Sequence, residues 1–168
     1  MSEDKHGYKN GDKWREEFPP KIERMIGAGV GAASVTLFNP DTPAEVIVPG
    51  FTNGKRFRVV IVPTEGASRF AINFRTQGDL ALHFNPRFDE NTVVCNSTHN
   101  DHWQQEQRTS LPLKHGRVYT LEFVAQYGHI QIHLNGAPFM EFAERLPGSE
   151  IHAIEVTGDV HVHSAHVE

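Results

Sequence analysis

The stretch His129-Ile130-Gln131-Ile132-His133-Leu134-Asn135-Gly136 decides the fold class of this chain. Its apolar residues fall on every second position, so Ile130, Ile132 and Leu134 share one face of an extended strand and His129, Gln131 and His133 the other. Asn-Gly follows at once, the strongest short signal for a two-residue hairpin turn. Outward from this segment the pattern repeats. Phe70, Ile72 and Phe74 alternate with Ala71, Asn73 and Arg75, and Leu80, Leu82 and Phe84 alternate with Ala81, His83 and Asn85. Turn dipeptides at Asn53-Gly54, Gly78-Asp79, Tyr127-Gly128, Pro147-Gly148 and Gly158-Asp159 punctuate the chain. Short, evenly spaced strands without helical periods predict an all-β sandwich or barrel.

At 168 residues the chain is long enough for one domain with a substantial core. No internal repeat is visible. Residues 1–33 differ from the rest: charges dominate to Arg24, Pro19-Pro20 breaks any helix, and Gly27, Gly29 and Gly31 loosen the end. They are read as a flexible N-terminal extension, with Trp14 and Phe18 able to anchor it, ahead of a domain over residues 34–168. Apolar content of 38% and charged content of 22% are ordinary globular values. A net charge of -5 with no face-sized cluster of Lys and Arg argues against a nucleic-acid partner. Cys95 is the single cysteine, so no internal disulfide is expected. The polar start, Met1 to His6, lacks a signal-peptide core, and the longest aliphatic run, Val59 to Val62, is far below a membrane span. Cytoplasmic synthesis without membrane insertion is the expectation.

One region is richer in chemistry than the rest. On a strand from Leu80, His83, Asn85 and Arg87 line up on one face while Leu82 and Phe84 turn to the other. Asn96 lies on a second short segment, Asn91 to Asn96. Glu106 and Arg108, two apart, share a face of a third, with Trp103 just before them. Imidazole, carboxamide, guanidinium and carboxylate together both donate and accept, which is what a hydroxyl-rich ring requires. A flat indole can cover the patch of C–H bonds that an axial hydroxyl at carbon 4 opens on a galactose ring.

The run His83-Phe84-Asn85-Pro86-Arg87, then Val94-Cys95-Asn96, then Trp103 with Glu106 and Arg108, resembles the signature of the galectin family, and flanking strands extend the similarity over about residues 35 to 168. The resemblance implies a jelly-roll sandwich of two antiparallel sheets, of the galectin-like and concanavalin A-like kind. It implies a non-enzymatic, metal- and cofactor-free lectin for β-galactosides such as lactose and N-acetyllactosamine, carried on glycoproteins or glycolipids. In that picture His83, Asn85 and Arg87 take the axial hydroxyl of galactose, Asn96 and Glu106 the hydroxyl at carbon 6, and Trp103 stacks on the ring. Arg108 with Glu106 reaches the next sugar, and Val94 is a lining residue. The family also suggests a homodimer through terminal strands and unconventional export from the cytosol. Two departures from the family pattern stand out: the segment Phe88 to Val93 is short, and Gln104 follows Trp103 where Gly is common.

Competing readings attach to the same residues. His161 and His163 share a face and have metal-ligand character, but Val160 and Val162 between them predict the solvent side of a terminal strand. Cys95 is expected to point into the core, opposite Val94 and Asn96. Asp89, Glu90, Asp101 and Glu106 offer carboxylates for glycoside hydrolysis, but Glu106 beside Arg108 is poorly suited to act as an acid. A lectin-like scaffold whose main partner is a protein is the alternative function; it would be expected to lack some of the polar sugar contacts, and none is missing.

Overall fold

The computed structural model describes residues 34–168; the extension at 1–33, with the Trp14 and Phe18 anchors read there, lies outside the described residues. In chain order the strands are β1 (Val35–Phe38), β2 (Ala44–Ile47), β3 (Arg56–Pro63), β4 (Phe70–Arg75), β5 (Leu80–Arg87), β6 (Thr92–Asn96), β7 (Thr98–His99), β8 (His102–Trp103), β9 (Gln107–Ser110), β10 (Tyr119–Gln126), β11 (His129–Leu134), β12 (Ala137–Ala143), β13 (Ala153–Gly158) and β14 (Val160–Val167). A 3-10 turn, Gly148–Glu150, precedes β13.

Two six-stranded antiparallel sheets form, ordered β1-β14-β3-β10-β11-β12 and β2-β13-β4-β5-β6-β9. The chain changes sheets between β1 and β2, β2 and β3, β3 and β4, β9 and β10, β12 and β13, and β13 and β14, which is a jelly-roll path. Of the sandwich or barrel that the period-two segments left open, the sandwich that the family resemblance implied is the fold observed. The deciding stretch becomes β11, and its turn carries positive φ at both Asn135 (50°) and Gly136 (83°), as a two-residue turn matched to strand twist demands.

Alternate side chains of each sheet meet in the middle. Phe57, Val59 and Ile61 of β3 and Leu121 and Phe123 of β10 face Ile72 and Phe74 of β4 and Leu82 and Phe84 of β5, all essentially inaccessible to water. Phe123 joins the layers, with ring centroids 5.2 Å from both Phe74 and Phe84, the latter edge-on. Cys95 is in this core, its Sγ 3.8 Å from the Met140 sulfur, and burial pushes its thiol up to about 12. His161 and His163 are exposed on β14 while Val160 and Val162 are buried. A register shift at Val162/Ser164 makes His163 the extra residue of a bulge.

Candidate functional site

The outer face of the second sheet gathers the polar residues of the signature. His83 stands across from Asn96, Asn85 from Val94, and Val94 in turn from Arg108, so these residues meet over β5, β6 and β9 by register alone. Val94 is buried beneath them as floor.

Although it lies on the outside of the sheet, this face is not uniformly wet. Asn85 is only 6% and Asn96 only 4% exposed, and His83 is partly buried. Their short side chains are covered by longer ones and saturated by local bonds. Asn85 illustrates how. Pairing of Ile72 with Phe84 and of Arg69 with Arg87 puts Phe70 directly opposite Pro86, and the Phe88 N–H to Ser68 carbonyl bond (2.7 Å) shows that alternate pairs here exchange hydrogen bonds. Proline has no N–H to give to the Phe70 carbonyl. The Asn85 amide supplies it instead, Nδ2 to Phe70 O at 2.8 Å, and Asn85 Oδ1 accepts from Arg87 Nε at 2.7 Å. A proline in a central strand is thus repaired by its neighbour, which also fixes Asn85 and Arg87 in place.

Asn96 is held similarly: Nδ2 donates to the Gln104 carbonyl at 3.0 Å, while Oδ1 accepts from Ser97 N–H at 2.8 Å and from Arg145 at 3.1 Å. Arg145 reaches across from beyond β12 and also donates to Ser97 Oγ and the Gln105 carbonyl. Nothing in the local sequence advertises it. His83 Nδ1 lies 2.6 Å from Asn73 Oδ1 on β4. Its imidazole is pushed down to about 4, first by burial, against an upward pull from the neighbouring Asn85 amide, with the Arg87 guanidinium adding a smaller push downward.

Beside these amides lies an exposed ionic network. Arg108 Nε donates to Glu106 at 2.8 Å, the bracing expected from their spacing. Glu90, in sequence only a candidate acid, is its hub. Its carboxylate accepts from Arg108 at 2.9 Å, Arg69 at 2.8 Å and Arg87 at 3.1 Å. Arg69 is further paired with Asp89 at 2.9 Å. Hydrogen bonds from Arg108 and Arg69 hold the Glu90 and Asp89 carboxyls below their ordinary range, the reverse of what a general acid needs. The short segment after Arg87 delivers this hub through a tight turn with Asn91 at φ 50°.

Trp103 rises over the face on a hairpin of its own. Residues Ser97 to His102, a polar stretch, contain β7 and, with Trp103, β8, joined by Asn100 and Asp101 at φ 51° and 66°. The Asp79 carboxylate clasps this turn, accepting from Thr98 Oγ1 at 2.8 Å, Asp101 N–H at 2.9 Å and Asn100 N–H at 3.1 Å. These bonds hold the Asp79 carboxyl below its ordinary range, the Asp101 amide contributing most. The indole is 57% exposed, with its ring centroid 4.9 Å from that of His83. A groove of about 340 Å³ opens from His83, Asn85 and Arg87 toward Asn73 and Ala71 of β4 and Glu155 and Thr157 of β13. Among the described residues no group of three or more His, Cys, Asp or Glu is placed to hold a metal ion.

The sequence model of the family described as Galactoside-binding lectin matches residues 43–167. Galectin-4 of Bos taurus is 37% identical over 134 residues, covering 76% of this chain and 40% of that protein. Galectin-6 of Mus musculus is 33% identical over 133 residues, covering 76% of this chain and 44% of that protein. The chain thus spans about two fifths of the length of these relatives. The crystal structure of Caenorhabditis elegans galectin LEC-6 superposes with a TM-score of 0.77 at 53% identity, covering 79% of this chain and 95% of that one. Sheep galectin-11, solved in complex with glycerol, superposes at 0.71 with 21% identity, covering 77% and 99%, which bears on the fold alone.

Proposed function

We propose, from the premise that this chain belongs to the galectin family of galactoside-binding lectins, that it holds β-galactosides without transforming them, in the shallow face beneath Trp103. The family is one of lectins and not of enzymes. The observation that carries the reading is the juxtaposition of an exposed indole with His83 at 4.9 Å, above amides and guanidinium already locked by internal bonds. Such pre-organisation lowers the ordering cost of binding. An axial hydroxyl on a ring lying against Trp103 meets His83, Asn85 and Arg87 together; Asn96 and Glu106 flank the next hydroxyl, and Arg108 reaches the second sugar. Because each bond replaces one to water in an open groove, a dissociation constant of roughly 0.1 mM, about 5.5 kcal/mol, is expected for lactose.

Calorimetric titration with lactose and with cellobiose tests this, since the two differ at the terminal carbon 4. Binding of lactose alone supports the reading, and equal binding of both, or of neither, removes it. Useful avidity on glycoproteins or glycolipids at such single-site affinity requires several sites, and a homodimer through terminal strands would supply them. Sedimentation of the full chain against one lacking residues 1–33 tests that assembly. Cytoplasmic synthesis with unconventional export belongs to the same reading.

A further inference from the structure

We propose that Glu155, on β13 and two strands removed from His83, is a positioning residue for sugar recognition: through Asn73 it fixes the His83 ring in the Nδ1–H form and leaves Nε2 as an acceptor. The inference rests on the proposed function for its consequence and on geometry for its substance.

The three residues form one cross-strand row. Glu155 pairs with Asn73 across β13 and β4, and Asn73 with His83 across β4 and β5. Glu155 Oε1 lies 3.1 Å from Asn73 Nδ2, and Asn73 Oδ1 lies 2.6 Å from His83 Nδ1. Both Asn73, at 2% exposure, and Glu155 are largely withdrawn from water at the floor of the groove, so each depends on its protein partner. A carboxylate only accepts, which forces Asn73 to present its NH₂ to Glu155 and its oxygen to His83. An imidazole facing a carbonyl oxygen must donate. The proton therefore sits on Nδ1, and the lone pair on Nε2. Flipping Asn73 would set oxygen against carboxylate and NH₂ against the ring. Arg75, 3.5 Å from Glu155 Oε1, helps keep the carboxylate in place.

The consequence concerns which hydroxyl the site accepts. Asn85 already spends its NH₂ on the Phe70 carbonyl and its oxygen on Arg87, which makes His83 Nε2 the less committed acceptor, and Arg87 can only donate. A hydroxyl in reach of all three thus gives its proton to His83 Nε2 and accepts from Arg87. With the other tautomer it would face two donors, and its own proton would lose the acceptor that Nε2 supplies. Glu155, touching no sugar in this arrangement, sets that polarity.

Long-range proton–nitrogen NMR of the histidine rings in the ligand-free full chain reads the tautomer directly, with the His83 signals identified by comparison with His83→Gln. The unsubstituted protein is expected in the Nδ1–H form. Glu155→Ala should convert His83 to a mixture or to the Nε2–H form and weaken lactose about five- to tenfold. Adding Asn73→Asp to Glu155→Ala restores an obligate acceptor beside Nδ1, and should return both the tautomer and most of the affinity. Glu155→Leu, which keeps more volume, serves equally if the Ala variant unfolds. Retention of the Nδ1–H form and full affinity in a folded Glu155 variant overturns the proposal, as does failure of the double variant to recover the tautomer. Absence of lactose binding in the unsubstituted chain would overturn the sugar reading, while the ring spectra, taken without ligand, still decide the relay.

Discussion

The candidate site has two halves built on opposite principles. On one side Asn85 and Asn96, with Asn73 beneath and His83 partly buried beside them, are uncharged and saturated by bonds to backbone and neighbouring side chains. On the other, Arg69, Arg108, Asp89, Glu90 and Glu106 form an ionic web in contact with solvent, and Arg87 belongs to both. Directed bonds in a low-dielectric setting give fixed angles and resist salt. Exposed ion pairs are individually weak, screened and free to rearrange. The buried half is thus suited to telling one hydroxyl configuration from another, and the exposed half to tuning contacts at the edge of the first sugar and beyond it.

That contrast breaks most visibly at Asn85. Asn85→Ala leaves the Phe70 carbonyl without a donor opposite Pro86 and frees Arg87, so lactose binding should disappear and stability fall by about 2 kcal/mol, read by denaturant unfolding. An unchanged midpoint would mean water repairs the strand and the half is not built as described. Trp103→Ala removes an exposed plate without touching the core. Affinity should drop about tenfold or more with the unfolding midpoint unmoved, which separates recognition from folding at a single residue.

Smaller effects belong to the ionic half. Glu90→Ala should weaken lactose only several-fold, while the salt dependence of binding, followed from about 0.05 to 0.5 M, becomes shallower because the hub of the network is gone. A loss as large as that at Asn85 would erase the distinction between the halves. The smallest effect is expected from pH. From the unperturbed imidazole, binding would weaken below about 6.5. With His83 at about 4 because of burial, affinity should instead stay flat from pH 7 to 5 and decline only on approach to 4. The same shift has a defined sign for folding. Between 4 and 6.5 the unfolded chain binds the extra proton, so the contribution of neutral His83 is complete above 6.5 and is lost as pH falls through that window. Unfolding of His83→Gln alongside the unsubstituted protein measures it.

What can be read in the sequence is whatever depends on periodicity. Alternation in 70–75, 80–85 and 129–134 marks strands and faces, Asn135-Gly136 marks a turn, and a spacing of two places His83, Asn85 and Arg87 side by side. What escapes depends on pairing between distant strands. Asn73 and Glu155 are 82 residues apart, and Arg145 meets Asn96 across 49; no local pattern couples them. Asp79 looks like a turn residue and is also the clasp of the Trp103 hairpin. Burial of Asn85 and Asn96 is hidden for a related reason: a polar residue on an outer face looks wet until the arginines, hairpin and proline repair around it are in place.

The most direct measurement is a structure of the chain with lactose bound. The galactose ring is expected to lie against the Trp103 indole, its axial hydroxyl within hydrogen-bonding distance of His83 Nε2 and Arg87, and the second sugar toward Glu106 and Arg108. A ring seated elsewhere, or one lying on Trp103 with that hydroxyl turned away from His83, would contradict that placement.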